Sequence, residues 1–219
     1  MNYRHQFHAG NFADVMKHAL MIRLVRAMQK KEKGFLYLDT HAGRGGYDLT
    51  TAATGDSLAR QPEWPDGVGR LVGRADLPES VADYLAVARR FDASQRAGAD
   101  TNDHGALKFY PGSPWFVREL VRPQDRLALC ERQPDECAAL REAFQFSPST
   151  KVQEMDGYVA VRALLPPPER RGVCWPPPSR LGAAADWGLA PCGFWPCGLP
   201  LPPPWLRLGP WPRWCGLPP

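Results

Sequence analysis

Three acidic residues, each at the end of a short apolar run, are the first candidates for chemistry in this chain. They are Asp39, Glu131 and Asp156. A glycine-rich segment, residues 43–46, follows the first of them. A bare glycine backbone lets a ligand approach closely, and a carboxylate at a strand end accepts hydrogen bonds from ribose hydroxyls. The pattern therefore predicts a site for a nucleoside-containing ligand.

The spacing of the glycines leaves the class of nucleoside open. The segment GRGG does not match GxGxxG, and it lacks the Lys-Ser/Thr pair of a phosphate-binding loop. The third acid precedes a glycine, as Asp156-Gly157, and this favours an S-adenosylmethionine site in which a carboxylate accepts from the adenine amino group. Two alternatives remain at this point: a methyltransferase, and an NAD-type or other nucleotide-binding protein.

The elements that must position these residues alternate between strand and helix. Helices are predicted over residues 11–33, 115–121, 134–144 and 157–165, with Asn11 and Ser113 as N-caps of the first two. Strands are predicted over residues 35–39, 107–110, 126–131 and 151–156. Residues 48–106 are predicted to be an insertion, with a capping box at residues 76–79 opening a helix to about residue 91. This order predicts an α/β fold with a parallel sheet, which binds ligands outside the carboxyl ends of its strands.

Bulk composition excludes little. The 219 residues carry a formal net charge of +4, which permits nucleic-acid binding without indicating it. The first ten residues lack the apolar segment of a signal peptide, and no apolar run approaches the roughly 20 residues of a membrane span. A cytoplasmic protein without membrane contact is expected. The spacing of His5, His8 and His18 does not match a metal site, so no metal is expected.

Residues 172–219 differ in composition from the rest of the chain. They hold four of the six cysteines, six of the eight tryptophans and 13 of the 24 prolines, and they contain no Lys, Glu, Ile, Asn or Tyr. No strand or helix period is visible in them. A proline-rich ligand segment is one interpretation. The preferred hypothesis is a disordered tail or an out-of-frame reading of a G+C-rich gene, with the C-terminal part of the sheet truncated or replaced.

Three motifs resemble one family closely. They are YRHQFHAGNFADVMKH at residues 3–18, FLYLDTHAG at residues 35–43 and YPGSP at residues 110–114. Together they resemble the RlmJ-type 23S ribosomal RNA adenine-N6 methyltransferases, and the resemblance covers residues 1–172. It implies a Rossmann-like class I methyltransferase fold with a helical insertion. The expected organisation is a leader and helix over residues 1–34, a methyltransferase domain over 35–171 and the tail over 172–219.

The resemblance also implies a cofactor, a substrate and site residues. The cofactor would be S-adenosylmethionine, and the substrate an adenine in 23S ribosomal RNA, as protein-free or early-assembly RNA, bound by a monomer. The implied cofactor-binding residues are His18, His41, Ser113, Glu131, Asp156 and Gly157. Tyr3 matches the substrate-contacting tyrosine of the family, and a phenol can stack on a base presented to the pocket.

Each of these residues also has a purely structural interpretation. His18 could be a half-buried core histidine, and Ser113 could only cap its helix. Glu131 and Asp156 could be solvated strand ends. The lysines of residues 30–33 are expected to be a solvated helix end, with RNA contact as the less favoured interpretation.

The catalytic acid of the family has no counterpart here. Methyl transfer to an adenine amino group uses an Asp/Asn-Pro-Pro-aromatic loop after the fourth strand, which orients the amino group and stacks on the flipped base. By the family spacing the acid falls on Pro177, and residues 172–179 contain no acid or amide. The catalytic residue is therefore unknown, and this chain is expected to be impaired. The alternative from another class is a non-catalytic nucleic-acid-binding protein linked to DNA uptake or utilisation.

Overall fold

The structure, a computed structural model, describes residues 7–50, 62–96 and 106–175. Tyr3 and the tail beyond Trp175 lie outside the described residues, and so do the predictions made for them. None of the helices in the described ranges has the length and apolarity that crossing a membrane requires.

A four-stranded parallel sheet forms the centre of the fold. In chain order its strands are β1 (Leu36–Asp39), β4 (Arg126–Glu131), β5 (Thr150–Glu154) and β6 (Gly172–Trp175), arranged in space as β5-β4-β1-β6. The remaining strands, β2 (Gly46–Asp48) and β3 (Phe109–Pro111), form a separate antiparallel pair. In β1, Leu36 lies opposite Arg126 on one side and Gly172 on the other, so the four carboxyl ends meet at one edge. The predicted Rossmann-like α/β fold is confirmed.

Helices follow or precede the strands as the alternation predicts. They are α1 (Phe12–Gln29), α2 (Glu79–Gln95), α3 (Ser113–Arg118), α4 (Pro134–Phe144) and α5 (Gly157–Leu164). The Asn11 side chain caps α1 by accepting from the Asp14 amide at 2.9 Å, as predicted. Asp156 caps α5 in the same way, accepting from the amides of Tyr158 and Val159.

Alternating residues of β1 face two apolar clusters, one on each side of the sheet. Tyr37 belongs to the larger cluster, which includes side chains of α1, α2 and α3. Leu36 and Leu38 belong to a smaller cluster around Ala160 of α5. All four residues of β1 are buried, as the continuous apolar run predicts for a central parallel strand.

The insertion between β2 and β3 contains a long helix, as predicted, but the local details differ. Helix α2 begins at Glu79 after Pro78, which has no capping side chain, so the predicted capping box at residues 76–79 does not form. Asp76 instead pairs with Arg74 at the surface. The capping box was wrong because the helix begins two residues later than a cap at Asp76 requires, with Pro78 in the N-cap position.

Two predicted helix boundaries were also wrong. Helix α1 ends at Gln29 and not near Lys33, because arginines from other segments bind the carbonyl groups there. Arg122 donates to the carbonyl of Gln29, and Arg171 donates to that of Met28. Ser113 is the first residue of α3 and not its cap, which is Gly112.

The sheet also extends further than the sequence indicates. Residues 172–175 were assigned to the tail, yet they form β6 and pair with β1 along its whole length. The predicted boundary at Gly172 is therefore four residues too early. The four residues of β6 are too few to show a strand period, and Pro176 to Pro178 follow them directly in the sequence.

Candidate functional site

The glycine loop after β1 lies at the carboxyl edge of the sheet and has a fixed backbone path. Gly43 and Gly45 have φ angles of +61° and +90°, which residues with a side chain rarely adopt. The Ala42 amide donates to the carbonyl of Cys130 in β4 at 2.9 Å. The Gly112 amide donates to the Gly45 carbonyl at 2.6 Å, which joins the loop to the start of α3.

Glu131, the last residue of β4, is bound to this loop. Its Oε2 accepts from the Gly43 amide at 2.9 Å, and its Oε1 accepts from the Gln133 amide at 2.8 Å. One carboxylate therefore links the ends of β1 and β4. Its carboxylate has accepting capacity for further donors, because two oxygens offer about four lone-pair positions.

Asp39, the last residue of β1, is buried and holds Ser113. It is 1% exposed, and its Oδ2 accepts from the Ser113 hydroxyl at 2.6 Å. Its Oδ1 accepts from the His41 amide at 3.2 Å. The glycine loop and the first residue of α3 therefore share one buried carboxylate.

The start of α5 packs closely against the residues that follow β1. A Cβ atom at Gly157 would lie 2.8 Å from Cβ of Thr40 and would also meet the Thr40 carbonyl oxygen. The His41 ring lies 5.9 Å from the Tyr158 ring, measured between centroids, in an edge-on arrangement. Bonds from the Tyr158 amide lower the pKa of Asp156, so this carboxylate is ionised at neutral pH. Glycine is required at position 157 because this approach leaves no space for a side chain.

His18 lies beneath the site and not on its surface. It is 1% exposed, its Nδ1 lies 2.9 Å from the Tyr110 hydroxyl, and its ring packs on Phe116 at 4.6 Å. The Tyr110 hydroxyl lies 3.0 Å from that of Tyr84, which extends the polar chain into α2. Burial raises the pKa of Tyr110, which keeps the phenol neutral.

The end of β6 reaches the same edge. The carbonyl of Trp175 accepts from the Thr40 amide at 3.2 Å and from the Thr40 hydroxyl at 3.0 Å. The Thr40 hydroxyl also lies 3.0 Å from Nδ1 of His41. The chain therefore leaves the described region beside His41.

The structure brings five of the six predicted cofactor residues to this edge. His41, Ser113, Glu131, Asp156 and Gly157 lie on the ends of β1, β4 and β5 or on the first residues of the helices beside them. His18 is buried behind them. Sequence reasoning did not identify Thr40, which the structure places between His41 and β6; a threonine beside a histidine gives no signal without the distant strand. Within the described ranges, no cluster of three or more His, Cys, Asp or Glu side chains is arranged to hold a metal ion.

Comparisons with known proteins agree with one another. A family model described as "RsmJ: Ribosomal RNA large subunit methyltransferase D, RlmJ" matches residues 32–181. Ribosomal RNA large subunit methyltransferase J of Escherichia coli (strain K12) is 39% identical over 173 residues, covering 79% of this chain and 57% of the relative. The protein of the same name from Haemophilus influenzae is 38% identical over 173 residues, with the same two coverages of 79% and 57%.

A solved structure shows the same relationship in three dimensions. The crystal structure of protein LPL1258 from Legionella pneumophila superposes with a TM-score of 0.65 at 37% identity, covering 79% of this chain and 58% of that one. The chain thus spans less than two thirds of each of these relatives, at 57% and 58% of their lengths.

Proposed function

Because the chain belongs to the family described as ribosomal RNA large subunit methyltransferase RlmJ, we propose that residues 7–175 form a site for S-adenosylmethionine in an adenine-N6 methyltransferase of 23S ribosomal RNA. The observation that carries the proposal is the link between Glu131 and Gly43. Through this bond the carboxylate of Glu131, the last residue of β4, lies directly on the glycine loop that follows β1. Strand ends joined in this way suit a ribose, whose hydroxyls donate to the carboxylate.

The donors and acceptors at this edge fit the proposed cofactor. S-adenosylmethionine carries two ribose hydroxyls, an adenine amino group and an ammonium group, all of which donate hydrogen bonds. The edge offers acceptors to match: the carboxylates of Glu131 and Asp156 and the hydroxyl oxygen of Ser113. The absence of a side chain at Gly157 keeps the start of α5 close to His41, so that the acceptors stay on one rim.

Each residue would have a separate task. Glu131 would accept from the ribose, and Asp156 from the adenine amino group. His41, held by Thr40 and packed on Tyr158, would form one wall of the site. The buried His18 would support α3 from behind through Phe116. When bound, the cofactor supplies an electrophilic methyl group on a sulfonium, and transfer then depends on alignment with the acceptor amine.

The acceptor side of the reaction is where this chain departs from the family. Trp175 ends β6 at the rim, hydrogen-bonded to Thr40, and the sequence continues with three prolines and Ser179. Residues 176–179 contain neither the acid or amide side chain that orients the adenine amino group in the family nor the aromatic ring that follows the prolines there. We therefore propose that cofactor binding persists while methyl transfer is severely impaired.

Binding of S-adenosylhomocysteine tests the proposed site directly. Isothermal titration with the full 219-residue chain is expected to show binding, and Glu131→Ala is expected to weaken it roughly tenfold or more, because charge-assisted hydrogen bonds are lost. The matched control is Glu142→Ala, an exposed acid of α4 away from the rim, with a change of less than about twofold. No binding by the unaltered chain, or an equal effect of both variants, would contradict the site.

The substrate and location belong to the same proposal. Relatives named as ribosomal RNA large subunit methyltransferases make 23S ribosomal RNA the proposed substrate, and a monomer in the cytoplasm the simplest form of the enzyme. No contact among the described residues favours the alternative of a non-catalytic nucleic-acid-binding protein, so it is not developed further.

A further inference from the structure

A buried carboxyl group, that of Asp39, lies beneath the rim of the candidate site and bonds to two rim residues, Ser113 and His41. Asp39 accepts from the Ser113 hydroxyl at 2.6 Å and from the His41 amide at 3.2 Å, and the Tyr37 hydroxyl lies 3.3 Å from its Oδ2 and 3.0 Å from the sulfur of Met21. All three groups around Asp39 are uncharged, and Lys17, whose charge also acts on Asp39, forms its ion pair with Asp14. Asp39 is therefore a carboxyl group held in the interior with no salt bridge to any described residue.

The fold does not need a charge at this position. Burial raises the pKa of Asp39, although the bonds from Ser113 and His41 oppose the shift, so ionisation of this group costs stability. An asparagine could satisfy the same partners: its oxygen would accept from the His41 amide, and its NH₂ group would donate to the Ser113 hydroxyl oxygen. A buried carboxyl group at a position where an amide would satisfy the packing points to a role in the site.

The charge has one specific consequence for Ser113. A serine hydroxyl has a single proton, and here Ser113 donates it to Asp39. The Ser113 oxygen can therefore only accept from a ligand. With asparagine at position 39 the direction would reverse, because the amide would donate to Ser113 and leave its proton to point elsewhere.

We propose that Asp39 is a positioning residue that fixes Ser113 as an obligate hydrogen-bond acceptor, so that the rim selects a ligand group that donates and carries positive charge. The identity of that group rests on the proposed function: the ammonium of the amino-acid end of S-adenosylmethionine. The short Ser113–Asp39 bond transmits negative charge to the serine oxygen, which strengthens its attraction for an ammonium group.

The affinities for two ligands distinguish this role of Asp39 from a general loss of structure at the site. S-Adenosylhomocysteine carries the ammonium group, whereas 5′-methylthioadenosine has the same nucleoside and sulfur without it. Asp39→Asn is expected to weaken S-adenosylhomocysteine about fivefold or more and to change 5′-methylthioadenosine less than about twofold. Its free energy of unfolding at pH 7 should equal or exceed that of the unaltered chain, which a purely structural residue would not allow. Asp66→Asn, an exposed acid, is the matched control and should change neither.

A double-variant cycle tests whether Ser113 transmits the effect. In the Ser113→Ala background, Asp39→Asn should change the affinity for S-adenosylhomocysteine less than about twofold, because the Ser113 hydroxyl that connects Asp39 to the ligand is absent. Equal weakening of both ligands by Asp39→Asn, or an effect that survives in the Ser113→Ala background, would overturn the proposal.

One measurement does not depend on any ligand. Hydrogen exchange of the His41 amide should accelerate about fivefold or more in Asp39→Ala, while amides of α4 exchange as before. Unchanged exchange at His41 would overturn the positioning role even if S-adenosylhomocysteine binds. Failure of the unaltered chain to bind, together with accelerated exchange, would instead leave Asp39 as the holder of the loop and refute the proposed cofactor.

Discussion

Two buried aspartates, Asp39 and Asp125, have pKa values that are shifted in opposite directions. Burial raises the pKa of Asp39. Burial also acts on Asp125, but bonds from Arg122 and from the amides of Arg122 and Phe35 outweigh it, so its pKa is lowered. Arg122 donates to Asp125 through both Nε, at 3.0 Å, and Nη2, at 3.1 Å. Asp125, paired with Arg122 before β4, stabilises the fold, whereas Asp39, which has no ion-pair partner among the described residues, costs stability.

The sign of the Asp125 effect predicts a pH dependence. An acid whose pKa is lowered in the folded state contributes stability above its unfolded pKa of about 3.9, and the contribution is lost as the pH falls through the lower folded value. Asp125→Asn is therefore expected to reduce the free energy of unfolding near pH 7 by about 1–3 kcal/mol. The difference from the unaltered chain should shrink below about pH 4.

Urea unfolding at several pH values checks this prediction. Asp66→Asn, whose side chain is 82% exposed, is the control and should change the free energy by less than about 0.5 kcal/mol. A constant difference between Asp125→Asn and the unaltered chain from pH 7 to pH 3 would contradict the assigned role of Asp125.

Residue positions at the site were predictable, but their partners were not. The acids at the strand ends follow from apolar runs that stop at a charge, and the structure places Glu131 and Asp156 at one edge. Ser113 was expected to cap a helix because it follows a Pro-Gly turn; its partner Asp39 lies 74 residues away and no local pattern indicates the pair. The implied ligand roles of these residues stay predictions.

Among the helices and strands, sequence periodicity predicted the elements whose apolar pattern is local. It missed the contacts that form between segments far apart in the sequence. Strands β1, β4 and β5 of the parallel sheet and the helix Pro134–Phe144 were found because their apolar patterns are complete within a few residues. The β2–β3 pair was missed because each strand has three residues and the insertion separates them. The end of α1 was misplaced because arginines from two distant segments fix it.

These arginines predict a measurable effect on α1. Arg171→Ala removes donors to the carbonyls of Met28 and Lys33, which lie at the end of the helix and just after it. The free energy of unfolding should fall by about 1–2 kcal/mol, since helix carbonyls lose partners and a favourable charge.

Hydrogen exchange and thermal unfolding measure that effect. Amides in the last turn of α1 should exchange faster in Arg171→Ala than in Arg23→Ala, which removes an exposed arginine of the same helix. Equal stability of the two variants would show that Arg171 does not hold the end of α1.

At the scale of the whole molecule, cofactor binding and acceptor orientation lie on different segments. The proposed cofactor rim lies within residues 39–157, whereas the family places its acceptor-orienting loop after the fourth strand, where this sequence has Pro176 to Pro178. The two properties can therefore be lost separately. This chain spans 57% of the length of its relative and keeps strands β1, β4, β5 and β6 of the parallel sheet. It is therefore expected to retain cofactor binding.

Methyl transfer to RNA checks this separation. With labelled S-adenosylmethionine and unmodified 23S ribosomal RNA, the 219-residue chain is expected to be slower than the Escherichia coli relative by about 100-fold or more, because the alignment of the two reactants is lost. Binding of S-adenosylhomocysteine by the same preparation shows that the site is folded. Turnover comparable to that of the relative would overturn the predicted impairment.

The bond between Thr40 and Trp175 has a consequence for how the protein is made. The two residues are separated by 135 positions, so β1 completes its pairing only when β6 has emerged from the ribosome. At ordinary rates of translation this delay is on the order of ten seconds, during which one edge of an entirely buried strand lacks its neighbour. The nascent chain thus exposes an unpaired, apolar strand edge, and a chaperone that covers such edges should raise its soluble yield.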